Sequence, residues 1–349
     1  MRLLVVLLIA AVIYILEKYT VEHCFDSLSY AMKAEKTCAE CDEKITFRTE
    51  IANDKFLPVL YLEVREFMPP EADSPQFADT GYRTLGKQSV RTMYVTGHQK
   101  VSYNAEVSFS ERGRYVFSNA RLTCGDLLGL HKSVKTYDNI TECVVYPRPL
   151  DLHVMEPAFG SYIGSVSVKR FIMPDPIQTA GFREYTGHEA MKDISWVQSL
   201  KRNGLMVRQY DYTSDQKAFV IADIDGASAE EAEKVFSAAR TVIDYLEKNR
   251  IVYSFSCNAA MNPMSTPAYI PDGLGRRHYE SVLESLGRAV CRKTMSTERL
   301  LAAAFPRNGE LRSWFLVTAG QEKIRGRLAS VQNMTGTGIF VIDIREAGL

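Results

Sequence analysis

GFREYTGHEAMKDISWVQSLKRNGLMVRQYDY (residues 181–212) runs toward KAFVIADID (residues 217–225), and this junction decides how the rest of the chain reads. Residues 218–223 are nearly all apolar, as strands buried on both faces of a parallel sheet are. Behind them Ser228 and Glu231 form an S-x-x-E capping box. Ala232, Val235, Phe236, Ala239, Val242, Ile243 and Leu246 then recur at helical spacing, and Lys248 and Arg250 suit the carboxyl end of a helix dipole. Residues 251–255 read as the next strand. Two shorter helices follow, one carrying Tyr279, Val282, Leu283, Leu286 and Val290, the other Leu300, Leu301 and Phe305. Residues 314–318 read as a strand, 321–331 as a helix and 339–344 as a last strand. Strands alternating with helices predict right-handed crossovers and a doubly wound α/β sheet over residues 213–349.

Upstream of the junction the period changes to two. Ile45, Phe47 and Ile51 alternate with polar residues, as do Leu60, Leu62 and Val64. Val101, Tyr103, Ala105, Val107 and Phe109 give five apolar positions in strict alternation, the pattern of a strand with one wet face. Pro69-Pro70, Gly81, Gly86, Gly113, Gly125 and Gly129 punctuate these runs, so residues 21–150 are expected to form an all-β sandwich. Pro147 and Pro149 mark its exit. Residues 151–212 are the connecting segment.

Residues 3–16 (LLVVLLIAAVIYIL) are fourteen uninterrupted apolar residues, followed by Glu17 and Lys18. No small-x-small cleavage site follows closely, and a core helix with no polar face fits poorly, so residues 1–20 read as an uncleaved membrane anchor. Lys plus Arg and Asp plus Glu are each 42, so no net field draws the chain to nucleic acid, which is not expected as a partner. At 349 residues the chain is long enough for about two domains. Seven cysteines, an odd and sparse set, suit mostly reduced thiols in a cytoplasmic body, with a Cys124–Cys143 bridge open if that half is exported. Topology stays open, because Arg2 and the amino terminus oppose Lys18, Lys33 and Lys36.

The quoted stretch resembles the bacterial Domain of Unknown Function 58 family of membrane-anchored proteins. Arg183, Glu184, Tyr185, Gly187, Ile194, Trp196 and Arg208 match its pattern, while His188 with Glu189 replaces Gly-Asp's acid and Lys192 replaces an arginine. Residues 112–130 and 144–149 resemble the closing strands of the same family's sandwich. The resemblance covers roughly residues 60–349. It implies a multidomain α+β chain: an N-terminal membrane helix, an all-β sandwich and an α/β doubly wound von Willebrand A-like domain. It further implies a single-pass protein of the cell membrane with a cytoplasmic MoxR-type AAA+ ATPase as partner.

The chemistry expected from these residues is thin. In an active von Willebrand A domain the first strand ends in Asp-x-Ser-x-Ser, whose oxygens hold a hard divalent cation. Asp223 matches, but Asp225 replaces the first serine, Ala227 removes the second, and Ala319 stands where an aspartate is usual. The site reads as degenerate, with no metal and no cofactor. Cys38-Ala39-Glu40-Cys41 is a CxxC without the helix N-terminus a redox pair needs or the further ligands zinc needs. P-loop and G-x-S-x-G sequences are absent, and His188-Glu189 lacks the Pro-Cys-x-x-Cys of a zinc deaminase. The chain therefore reads as a non-enzymatic scaffold or adaptor. Arg183, Glu184, Tyr185, Trp196 and Arg208 are the candidate protein-binding residues, because Trp, Tyr and Arg dominate interface energetics. The competing reading is that Trp196 and Tyr185 pack between domains while the arginines pair locally. Two other functions stay open: an extracytoplasmic adhesion or ligand-binding module using a residual cation at Asp223 and Asp225, and a thiol oxidoreductase using Cys38 and Cys41.

Overall fold

A computed structural model describes residues 2–79, 87–126, 131–151, 179–187, 191–202, 204–210, 217–304, 312–320 and 339–345. The chain divides into two compact units, Met1–Arg148 with Leu283–Ala289, and Pro149–Val282 with Val290–Leu349.

The first unit opens with α1 (Arg2–Glu22) and continues as strands: β1 (Leu28–Ala34), β2 (Cys38–Ala39), β3 (Ile45–Asn53), β4 (Val59–Met68), β5 (Ala72–Asp73), β6 (Ala78–Asp79), β7 (Lys87–Val95), β8 (Gln99–Phe109), β9 (Gly113–Phe117), β10 (Ala120–Gly125), β11 (Lys132–Tyr137) and β12 (Thr141–Val145). They pair in the orders β1-β3-β8-β5, β11-β10-β4-β7-β6 and β2-β12-β9. Period-two patterning sends Ile45, Phe47 and Ile51, Val107 and Phe109, and Leu62, Val64 and Leu122 into one shared core, which makes this unit sandwich-like. Rings add specificity there: Phe109 stacks on Tyr115 at 3.9 Å and Phe47 lies 4.2 Å from Phe117.

One inward position is a carboxylate. Glu66 follows Leu62 and Val64 in the same parity and is buried. Its Oε1 accepts hydrogen bonds from Tyr30 (2.9 Å), Thr49 (2.6 Å) and Tyr103 (3.0 Å), three hydroxyls from β1, β3 and β8. A buried charge persists only with such partners. Burial, then the Glu66 charge, raises both phenols well above their ordinary range, so they remain donors.

After the first unit's strands, β13 (Thr179–Glu184), α2 (Trp196–Arg202) and β14 (Met206–Tyr210) precede β15 (Lys217–Asp223), α3 (Ala229–Lys248), β16 (Val252–Cys257), β17 (Ala259–Met261), β18 (Ala268–Gly273), α4 (Arg276–Arg288), β19 (Ala289–Lys293), α5 (Thr297–Ala304), β20 (Ser313–Thr318) and β21 (Ile339–Asp343); all belong to the second unit except Leu283–Ala289, the end of α4 and the first residue of β19. The main sheet has the order β18-β16-β15-β20-β21, with β18 antiparallel to β16 and the other neighbours parallel. Phe219, Ile221, Trp314 and Leu316 pack with Leu300 and Leu301 of α5, and the Phe219 and Trp314 rings meet edge-to-face at 5.1 Å. The capping box at Ser228 and Glu231 starts α3.

The structure corrects two expectations. The expected fold class was a multidomain α+β chain ending in a doubly wound von Willebrand A-like domain. The chain is instead mostly β and sandwich-like, 25% helical, and the sheet of its second unit is mixed rather than parallel, with a separate β17–β19 ribbon beside it. The membrane helix is the second. Among the described residues no helix is long and apolar enough to cross a membrane. In α1 the charges Glu17, Lys18 and Glu22 end the apolar run at Leu16. Fourteen residues at 1.5 Å each reach about 21 Å, short of a hydrocarbon core of about 30 Å. The single-pass cell-membrane placement, through residues 3–16, falls with that span.

Smaller departures have local causes. Helix α4 ends at Arg288, so Val290 lies in β19 and is 43% exposed. Leu60 faces outward because a bulge between Val59 and Leu62 shifts the register of β4 on β7. The helix expected at 321–331, Phe305, His188 and Glu189 lie outside the described residues.

Candidate functional site

Two places hold the residues that the sequence singles out. The first is the carboxyl end of β15, where β16 and β20 lie on opposite sides. Asp223 is fully buried there. Its Oδ1 accepts from the backbone N–H of Asp225 (3.1 Å) and from Asn258 Nδ2 (2.6 Å). Its Oδ2 accepts from the hydroxyls of Thr297 (2.7 Å) and Thr318 (3.2 Å). Burial pushes the Asp223 carboxyl up from its ordinary range, and the Thr297 hydroxyl, the Asp225 N–H, Asn258 and Thr318 pull the other way.

Asp225 is half-buried and binds Lys293 Nζ through Oδ1 at 2.7 Å, while its Oδ2 accepts from the Thr297 N–H at 3.3 Å. The hydrogen bond and charge of Asp225 raise the Lys293 ammonium. Thr318 is the register partner of Asp223 on β20, and the buried methyl of Ala319 follows it; Ala227 is half-buried. Chain donors thus occupy both Asp223 oxygens, and a chain cation sits on Asp225. Among the described residues no group of three or more His, Cys, Asp or Glu is placed to hold a metal ion. Asn258, Lys293 and Thr297 were not singled out by sequence; they come from 35 to 74 residues away.

The second place is the ribbon β13–β14 with α2 between its strands. Ser195 N–H donates to Met206 O, Ser199 Oγ donates to Ser195 O, and Met206 N–H donates to Ser199 Oγ, each at 2.8 Å. These bonds fix α2 with Ser199 turned inward. Ile194, Met206 and Val207 are buried beside it. The apolar side chains of α2 point the other way: Trp196 is 59%, Val197 65% and Leu200 81% exposed. Met191 and Leu205 flank them, also exposed. A surface helix ordinarily buries its apolar stripe and exposes its serines. This one does the reverse.

The five sequence-selected residues do not form one cluster. Arg208 lies opposite Phe182 and Arg183 opposite Val207, so the two guanidinium stems leave the ribbon on opposite faces. Arg183, Glu184 and Arg208 are exposed and Tyr185 is half-buried; the Tyr185 N–H donates to Leu205 O at 2.8 Å. Arg183 reaches the Glu184 carbonyl at 3.5 Å. Sequence reasoning named Trp196 but missed Val197, one residue on, and Leu200, four residues on, in a helix too short to show a period.

The cysteine pairs also resolve. Cys38 and Cys41 are free thiols; Cys41 Sγ donates to Tyr146 O at 3.2 Å and burial raises it, the opposite of an activated thiol. Cys124 and Cys143 are both buried and free.

No family model matches the chain. It is 19% identical over 274 residues to the uncharacterized protein YeaD of Bacillus subtilis (strain 168), an overlap of 76% of this chain and 63% of that protein. The chain therefore spans less than two thirds of that relative's length. Solved structures similar to part of it include the CARDB domain of the PF1109 protein from Pyrococcus furiosus, 10% identical over 35% of this chain and 96% of that one, with a TM-score of 0.23. A non-cellulosomal cohesin from Archaeoglobus fulgidus is 11% identical over 34% and 91%, TM-score 0.23. A collagen-binding domain from a Staphylococcus aureus adhesin is 10% identical over 32% and 95%, TM-score 0.21. At these scores the likenesses carry no argument about function.

Proposed function

We propose that this chain is a non-enzymatic adaptor that docks a protein partner on the outward face of α2 and its flanking loops. The observation that carries the reading is the inverted helix: Trp196, Val197 and Leu200 in solvent, Ser199 inside. Contiguous apolar side chains rimmed by polar ones mark interaction surfaces, and Trp is over-represented among the residues that dominate binding energy. On and beside α2, Lys192, Lys201 and Arg202 are exposed, against the half-buried Asp193. That basic rim favours a partner surface with an apolar centre and acidic edge. The likeness to the Domain of Unknown Function 58 pattern makes a MoxR-type AAA+ ATPase the partner to test first.

The cation-dependent alternative has less to stand on, because Asp223 and Asp225 already have donors from the chain. The oxidoreductase alternative has less still, since Cys41 is raised rather than activated. Titration calorimetry of the full chain against a purified MoxR-type ATPase tests the reading. Leu200→Asp and Trp196→Ala are each expected to weaken binding at least tenfold, with Tm changed by no more than a degree or two because both side chains are exposed. Equal affinity in wild type and Leu200→Asp would sink the docking face; no binding by wild type would remove this partner.

A further inference from the structure

Tyr253 stands near the start of β16 and is fully buried. Its register partner on the edge strand β18 is Gly273. Between them comes His278, from the first turn of α4. The Tyr253 and His278 rings meet edge-to-face at 4.7 Å. A Cβ placed on Gly273 would lie 2.4 Å from His278 Nδ1 and 2.6 Å from its Cγ, so the ring fits only because that residue is glycine. The imidazole is thus seated against an aromatic ring and bare backbone. The turn that carries it is tied to α3: Gly275 N–H donates to Glu247 Oε1 at 2.9 Å, and the Tyr279 hydroxyl donates to Asp244 Oδ1 at 2.7 Å. All of these groups lie in the second unit.

The charges facing the ring are already engaged or do not reach it. On β18, Asp272 is held by Arg312, whose terminal nitrogens lie 2.5 Å and 2.9 Å from its two oxygens, with Lys217 at 3.8 Å. On α3, Asp244 has Tyr279 and, at 3.6 Å, Arg240 Nε. On α4 itself Arg276 pairs with Glu280 at 2.8 Å and Arg277 is exposed. On β16, burial and then the Glu247 charge raise the Tyr253 phenol well above its ordinary range, so it stays neutral. His278 Nε2 and Glu247 Oε2 are both buried without a hydrogen-bond partner among the described residues, so in the seated position they do not meet.

We infer that His278 is an acid-operated latch: its neutral ring fastens the first turn of α4 to the β16–β18 edge, and protonation unseats it. A protonated imidazole donates from both nitrogens, and the seated Nε2 has nothing to donate to. A buried charge without a partner is costly, so the proton is accommodated by the ring leaving its place. Burial lowers His278 from its ordinary value of 6.5, while the Tyr253 backbone and the Glu247 and Asp272 charges pull the other way. The seated form therefore binds fewer protons than the released one. The latch holds fully above 6.5 and weakens as pH falls below that value toward the seated one. What yields is local: one helical turn against an edge strand whose register already shifts between Tyr253 and Phe255.

Hydrogen–deuterium exchange of the full-length chain at pH 7.5 and pH 5.5, corrected for the intrinsic effect of pH on exchange, tests this. Peptides spanning residues 276–282 are expected to exchange about threefold faster or more at the lower pH, while those of β15 hold their protection. His278→Phe keeps a ring against Tyr253 and Gly273 but takes no proton, so it should abolish the difference. In imidazole C–H spectra of the wild type, the resonance that His278→Phe removes should titrate below 6.5. Equal protection of residues 276–282 at both pH values overturns the inference, whether or not the variant folds. So does a wild-type resonance that titrates at or above 6.5, or the same acid-induced loss of protection in His278→Phe.

Discussion

Asp223 and Glu231 lie eight positions apart and respond to folding in opposite directions. Asp223 is raised by burial above its ordinary value of 3.8, so between that value and its folded one the native state holds a proton the unfolded chain has released. Stability then falls as pH rises through that window. Glu231 is held down at about 2, first by the Arg345 guanidinium, whose Nε and Nη2 lie 2.7 Å and 3.1 Å from its two oxygens, and then by the Ser228 N–H. Its contribution is present above its ordinary value of 4.5 and is lost as pH falls toward about 2. Urea unfolding across pH 2–7 separates the two. Asp223→Asn should flatten the decline above pH 4, and Glu231→Gln should flatten the acid limb below it. An unchanged slope in Asp223→Asn would mean that its four donors cancel the effect of its burial.

At the scale of elements, α3 is the clearest case of sequence dictating structure. Ser228 Oγ accepts from the Glu231 N–H at 3.2 Å, and Glu231 Oε2 accepts from the Ser228 N–H at 2.7 Å. Ser228→Ala removes one acceptor and is expected to cost about 1 kcal/mol, while Ser228→Thr keeps most of it. Equilibrium denaturation of the three proteins checks the ranking. The same helix was legible because cap, period and basic terminus agree. The strands were legible wherever alternation ran unbroken, as along β8, and misread at Leu60, where a bulge that no residue type announces reversed the facing of one side chain. Glu66 carried a signal that hydrophobicity counting discards: it holds an inward position between Val64 and Met68. At the β15 end only Asp223 and Asp225 could be read, since Asn258, Lys293 and Thr297 reach them through tertiary closure. The inverted polarity of α2 was not legible for a similar reason. Its serine faces inward because Met206 N–H needs an acceptor, and that need exists only once β14 is in place.

For the whole molecule, the decisive feature is that the two units have separate cores. Leu122 is fully buried among Phe47, Leu62 and Phe109 in the first; Phe219 is fully buried against Trp314, Leu300 and Leu301 in the second. Among the described residues, none packed around one appears around the other. Large-to-small changes at such sites cost about 2–5 kcal/mol, and effects at distant sites add. Two cores of this kind are expected to melt as two transitions in scanning calorimetry. Leu122→Ala should lower one midpoint by roughly 6–12 °C and leave the other in place, Phe219→Ala should do the converse, and the double variant should show both shifts together. If both single variants instead displace one common transition by similar amounts, the units fold as a single cooperative body.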